Sequence, residues 1–242
     1  CCVLPAGMSR AAWIASLVSC GYVVLRLYRE KIKSFVLRHR YALLGVLIVG
    51  TLFATGMYFI KRDSVDGRLL IWKITTQAIA DSPWGVEGGK TFSAFYGDVQ
   101  ERYFTDCKYS DSEAWVAGTP DFAFNEYLQI AVEYGVWGSV LFVTVLLMLL
   151  KIAGNCKHLA GMGGCLVSLM VFACFSYPIH IPAIVSIWSL VVIVLCGEGL
   201  VMMKYRLIPK IVLLSVVASG LIVSIKIHDW YSIRTQAVRE WM

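Results

Sequence analysis

Nine residues in this chain have types and spacing suited to chemistry on a charged substrate: Arg10, Arg68, Asn125, Glu126, Gln129, Glu133, Gly135, Gly138 and His180. Asn125, Gln129 and Glu133 recur at i, i+4 and i+8, so a helix places them on one face with Glu126 beside the stripe. Glu133 lies eight residues beyond Asn125 in an apolar run, roughly 10 Å along a helix rising 1.5 Å per residue. An acid there costs free energy unless something pairs with it, which marks a functional candidate. Arg10, in Ser9-Arg10-Ala11-Ala12-Trp13, and Arg68, in Gly67-Arg68-Leu69-Leu70, carry guanidinium forks that bind phosphate oxygens two at a time and stay charged at physiological pH. For either arginine alone, snorkelling to lipid headgroups is an equal alternative. Gly135 and Gly138 leave a helix surface bare enough for a neighbouring helix to approach. His180, in Tyr177-Pro178-Ile179-His180-Ile181-Pro182, is a lone histidine, a type more often structural than functional.

The elements that must position these residues are set by composition. Of 242 residues, 58% are hydrophobic and 16% charged, and the mean hydropathy is +0.69. That is too apolar for one soluble core and predicts an integral membrane protein. A helix crossing about 30 Å of hydrocarbon needs about 20 apolar residues, and six stretches qualify: 11–28, 41–60, 127–150, 162–179, 184–203 and 209–227. The expected fold is all-α, a polytopic transmembrane helical bundle of about six spanning helices. Residues 1–60 hold two spans with a basic cytoplasmic loop, 61–124 form an outer loop, 125–228 hold four spans, and 229–242 form an outer tail. Residues 1–8 read as the end of an earlier helix, and the tail as an amphipathic helix cut short.

Orientation follows from basic residues in short loops. The 26–40 connection carries Arg26, Arg29, Lys31, Lys33, Arg38 and Arg40 against Glu30, which makes it cytoplasmic. Lys151 and Lys157, and then Lys204, Arg206 and Lys210, fall on the same side. The 61–124 loop, the turn at 178–183 and the tail then face outward, into the periplasm of a bacterial inner membrane. Between Lys61 and Asp121 that loop has ten acids and seven bases, so the net charge of +6 reflects topology, and no nucleic-acid partner is expected. Eight cysteines show no CxxC pair or metal spacing and read as small hydrophobes, so no metal or other cofactor is expected.

The outer loop is too polar for lipid and too aromatic for a flexible linker. From Asp66 to Ala80 the apolar residues Leu70, Ile71, Ile74, Ala78 and Ile79 recur at helical spacing, which predicts an amphipathic helix along the membrane surface. After it, Ser82-Pro83-Trp84-Gly85-Val86-Glu87-Gly88-Gly89 must turn, either as a helix stop or as backbone that lets a phosphate or sugar approach.

Ser9-Arg10 before an apolar helix, Gly67-Arg68 with Trp72, the turn from Ser82-Pro83 to Gly89, and Asn125 followed after nine residues by Gly135-x-x-Gly138 occur in one order around a large loop. This arrangement resembles the bacterial O-antigen ligase and polymerase superfamily over most of 9–140. The resemblance implies a membrane glycosyltransferase acting on a glycan carried by a polyprenyl diphosphate at the periplasmic face. The acceptor would be lipid A-core or another glycan, and membrane lipid the surrounding partner. In that reading Arg10 and Arg68 bind the diphosphate and stabilise it as it leaves, while a base assists the acceptor hydroxyl. One position departs from the family pattern: Phe124 stands where a histidine usually precedes the Asn. Glu126, Glu133 or His180 are the substitutes for that base. A lipid-linked glycan transporter or flippase and a catalytically silent scaffold are the rival readings. The first would more often show charges and broken helices through several spans, and Phe124 favours the second.

Overall fold

The computed structural model describes residues 9–38, 41, 45, 62–85, 92–106 and 109–202. Among them every regular element is helical: α1 Arg10–Arg38, α2 Arg62–Asp81, α3 Phe92–Thr105, α4 Asp111–Val116, α5 Glu126–Asn155, α6 Ala160–Ala173 and α7 Pro182–Met202. Short 3₁₀ turns cover Lys157–Leu159 and Pro178–His180. The expected all-α class holds. Two helices have the length and hydropathy of a membrane span, Arg10–Ile32 and Glu126–Asn155, while the apolar stretches at Lys157–Ala173 and Pro182–Glu198 are shorter. The expected spans at 41–60, apart from the isolated residues 41 and 45, and at 209–227 lie outside the described residues, as does the tail.

Ser9 starts α1, its side-chain oxygen accepting from the Ala12 amide at 3.4 Å and its carbonyl from Trp13 at 3.2 Å. The 26–40 connection, expected as a loop, is helical to Arg38, with a kink at Tyr28 (φ −123°, ψ 27°). The reason is local: Arg, Lys, Leu and Glu all favour helix, and no Gly or Pro interrupts them. α1 packs on α6 where Gly163 and Gly164 remove side chains. A Cβ at Gly163 would lie 2.7 Å from the Tyr22 hydroxyl, and one at Gly164 2.5 Å from Val23 Cγ2. Small residues thus let two apolar helices approach closely, the usual solution where lipid supplies no hydrophobic drive. At the far end, the Arg26 guanidinium donates to the Gly154 carbonyl in the last turn of α5, where a cation also suits the helix dipole.

Two apolar clusters organise the rest. Leu146, Leu149 and Ala153 of α5 pack with Leu166 of α6 and Trp188, Val191 and Leu195 of α7. Leu70, Ile74 and Ala78 of α2 pack with Phe92, Tyr96, Val99 and Tyr103 of α3, and with Ala123 and Val132. The apolar face of α2 was read correctly, but protein covers it: Ile74 is 0% exposed, so that face is not left to a lipid surface. Each large apolar side chain buried there contributes about 1.5–3 kcal/mol, which makes α2 and α3 a folded cap beside the start of α5.

α5 is the main departure from the expected helices. Gly135 has φ +76° and ψ 170°, which breaks it into arms at 126–134 and 136–155. In a straight helix Tyr127 and Ser139 would stand about 18 Å apart, yet the Ser139 hydroxyl donates to the Tyr127 carbonyl at 3.0 Å. The Tyr127 and Phe142 rings are likewise 5.9 Å apart between centroids. The first arm therefore folds back beside the second. Glu133 is not the deep part of a continuous span, and its depth counted along one axis does not apply. Only the second arm has the roughly 20 residues a span requires.

Candidate functional site

The site is built on 122–125, the four residues before α5. Asn125 caps the helix, its side-chain oxygen accepting from the amides of Tyr127 at 3.0 Å and Leu128 at 3.2 Å. Such a cap satisfies donors that a helix start leaves open. Phe124 has φ +52°, a conformation unusual for a bulky residue and costing about 1–3 kcal/mol. The surroundings hold it there: the Ala123 carbonyl accepts from Trp72 Nε1 at 3.0 Å, and the Ala123 amide donates to Gln129 Oε1 at 3.2 Å.

The left-handed turn aims the Phe124 ring at two neighbours. The Arg68 guanidinium lies over it, 5.1 Å from the ring centroid, and Tyr177 meets it edge-on at 5.5 Å. Arg68 Nη1 also donates to the Phe175 carbonyl at 3.0 Å, just past the end of α6. Burial lowers the Arg68 pKa from its ordinary value; the Arg10 charge lowers it further, and Tyr177 opposes both. A guanidinium remains charged despite this. The Arg10 effect reports that the two arginines, from the starts of α1 and α2, share one neighbourhood. Among the described residues neither arginine is ion-paired with a carboxylate.

On the other side of the aromatic group lies a polar network. Phe122 stacks on Tyr177 at 4.5 Å and leans on His180 at 4.7 Å. His180 Nδ1 is 3.5 Å from Glu126 Oε1, and that same oxygen accepts from the Ile179 amide at 2.7 Å. The Gln129 side-chain nitrogen lies 3.0 Å from Glu133 Oε1 and 3.3 Å from His180 Nε2. Glu126 is 1% exposed and Gln129 2%. Gln129 and Glu133 of the expected stripe thus meet, with His180 bonded to Gln129 and Glu126 beside it, while the Asn125 side chain is used in the helix cap.

Gly135 and Gly138 stand apart, at the bend of α5. A helix was expected to pack on them, but the turn after α2 approaches Gly135 instead. A Cβ there would meet Trp84 backbone at 2.7 Å. At Gly138 the close neighbour is Tyr134 Cβ, 2.7 Å from a built Cβ, within α5 itself. The turn's glycine-rich end at 86–89 lies outside the described residues.

Phe122, Phe175 and Tyr177 were missed by sequence reasoning, although aromatic density around 122–124 and 175–177 is visible. A second cluster was missed too. Lys73 Nζ donates to Tyr103 Oη at 2.7 Å and Glu113 Oε1 at 2.6 Å, and Tyr103 Oη donates to Glu113 Oε2 at 2.9 Å. Its glutamate also closes the capping box of α4 with Ser110. The Lys73 bond, followed by the Ser110 amide, holds the Glu113 carboxyl below its ordinary pKa, and the Glu113 bond holds the Lys73 ammonium above its own. At the other end of α7, Glu198 Oε1 lies 3.6 Å from His158 Nε2.

A family model described as O-antigen ligase matches residues 1–143. That match covers Arg10, Arg68 and the 125–138 segment and stops before His180. A protein of Rickettsia bellii (strain RML369-C), provisionally named polysaccharide ligase, is 27% identical over 178 residues. The alignment covers 71% of this chain and 40% of that protein, so the chain spans well under half the length of this relative. No solved structure matches at a significant level.

Proposed function

The chain belongs to the O-antigen ligase family, and from that premise we propose that it serves a membrane glycosyltransferase that ligates or polymerises a glycan carried on a polyprenyl diphosphate. The acceptor is lipid A-core or another glycan, and the reaction takes place at the periplasmic face of a multi-pass inner-membrane protein. One observation carries this reading. The Arg68 guanidinium is held by the Phe175 carbonyl and over the Phe124 ring, has the Arg10 charge of a separate helix within electrostatic reach, and like Arg10 is not ion-paired with a carboxylate among the described residues. A fixed guanidinium without a counter-charge suits an anion such as a diphosphate. The place of both arginines is to stabilise the leaving diphosphate as charge develops, an effect of about 10²–10³ in rate per donor in comparable sites. Glu126, Glu133 and His180 supply the acid–base side. Asn125 and Gln129 frame the site from behind, one as the cap of α5 and the other as the link between the Ala123 amide, Glu133 and His180, while Gly135 and Gly138 act at the bend of α5, away from the substrate.

The broken α5 is the observation that favours the rival transporter reading, since transporter sites often use discontinuous helices. Sidedness separates the two. In a strain lacking the full-length protein, a ligase or polymerase leaves lipid-linked glycan accumulating on the periplasmic side. A transporter leaves it on the cytoplasmic side, and that result contradicts the proposal.

A further inference from the structure

Glu126 is almost wholly enclosed, 1% exposed, and its second oxygen, Oε2, has no hydrogen-bond partner among the described residues. A buried carboxylate left half satisfied is costly unless a positive group compensates it. Its first oxygen accepts from the Ile179 amide and stands 3.5 Å from His180 Nδ1, so one side chain bonds the backbone of the Pro178–His180 turn and lies beside its ring. It does so across 53 residues of sequence. His180, by contrast, keeps 28% of its side chain exposed.

The tautomer follows from the amide between them. Gln129 Oε1 accepts from the Ala123 amide, which leaves its nitrogen to donate to Glu133 Oε1 and to His180 Nε2. Nε2 is then the lone-pair nitrogen, and Nδ1 carries its hydrogen on the side of Glu126. The 3.3 Å contact to Gln129 is long for a hydrogen bond, so an entering hydroxyl can displace it. Among the described residues, the charged and titratable groups around the ring include Glu126 and Glu133 on α5, Tyr177 on the preceding turn, and Arg68 on α2 beyond Phe124.

We infer that His180 takes the proton of the acceptor hydroxyl and that Glu126 is its positioning residue. The inference rests on the glycosyl-transfer reading above. In the step, the acceptor oxygen bonds to the anomeric carbon as the bond from that carbon to the phosphate oxygen breaks. The bonding pair leaves with the diphosphate, and the hydroxyl proton goes to Nε2. The imidazolium formed then faces the Glu126 carboxylate.

The test uses the full-length protein in nanodiscs with polyprenyl-diphosphate-linked glycan and acceptor, with kcat and KM followed across the neutral pH range. His180→Gln lowers kcat by about 10²-fold or more with the donor KM kept. Glu126→Gln preserves the bond to Ile179 but removes the carboxylate beside Nδ1, so kcat falls with the donor KM and the melting midpoint kept. Glu126→Asp, which restores a carboxylate, recovers part of kcat. Wild-type rate in His180→Gln overturns the inference. So does a loss of kcat in Glu126→Gln that only follows a lowered melting midpoint, which indicates a merely structural carboxylate. If the wild-type protein transfers no glycan, the ligase reading itself fails, an outcome distinct from these two.

Discussion

The Pro83 carbonyl accepts a 2.9 Å hydrogen bond from the Val136 amide, joining the turn after α2 to the first residue beyond the break in α5. An N–H freed by a helix break needs a partner when it is buried in apolar surroundings, and the outer cap supplies this one. Gly85 at φ +97° and Gly135 at φ +76° face each other across the contact, and a Cβ on Gly85 would lie 2.8 Å from the Gly135 nitrogen. The bend that brings the arm of Glu126, Gln129 and Glu133 back toward its neighbours is therefore clamped from outside.

Gly135→Ala strains the backbone and drives a methyl to 2.7 Å from Trp84. It lowers stability by about 1–3 kcal/mol. Gly21 has open space around a built Cβ, so Gly21→Ala is neutral or stabilising by up to about 1 kcal/mol. Thermal unfolding of both variants in the same detergent checks the contrast, and equal midpoints contradict the clamp.

Gln129→Leu removes the acceptor of the Ala123 amide and the link between Glu133 and His180. Leaving that buried amide unpaired costs about 1–3 kcal/mol. Glycan transfer falls further than stability alone accounts for. Transfer rate per folded molecule, measured beside the melting midpoint, tests this, and an unchanged rate contradicts it.

The Lys73–Tyr103–Glu113 cluster makes the cap sensitive to pH at both ends. The Glu113 carboxyl is depressed, so its contribution is complete above the ordinary carboxylate range and is lost as pH falls through the depressed value. The Lys73 ammonium is raised, so its contribution is complete below the ordinary lysine value and is lost as pH rises through the raised one. Hydrogen-exchange protection at 111–116, taken relative to the intrinsic rate at each pH, should fall toward both extremes, and Glu113→Gln should flatten the acid side. A pH-independent wild-type pattern contradicts this account.

Local pattern made much of the architecture legible. The 3.6 periodicity of Leu70, Ile74 and Ala78 predicted the buried face of α2, and the i, i+4, i+8 spacing predicted the Gln129–Glu133 contact. What sequence could not show depended on distant partners. The break at Gly135 is held by a turn some fifty residues earlier, and a glycine in an apolar run reads equally well as a packing face. Likewise Glu126 and His180 meet only because α6 returns the chain past the start of α5.

The central claim is that Arg10 and Arg68 form one anion site. The direct measurement is glycan transfer by purified full-length protein carrying Arg68→Ala, Arg68→Lys or Arg10→Lys, compared at matched protein level with wild type. The account predicts loss of about 10²-fold or more for Arg68→Ala and incomplete rescue by lysine, whose single ammonium lacks the two-point fork. Wild-type transfer in Arg68→Ala contradicts it.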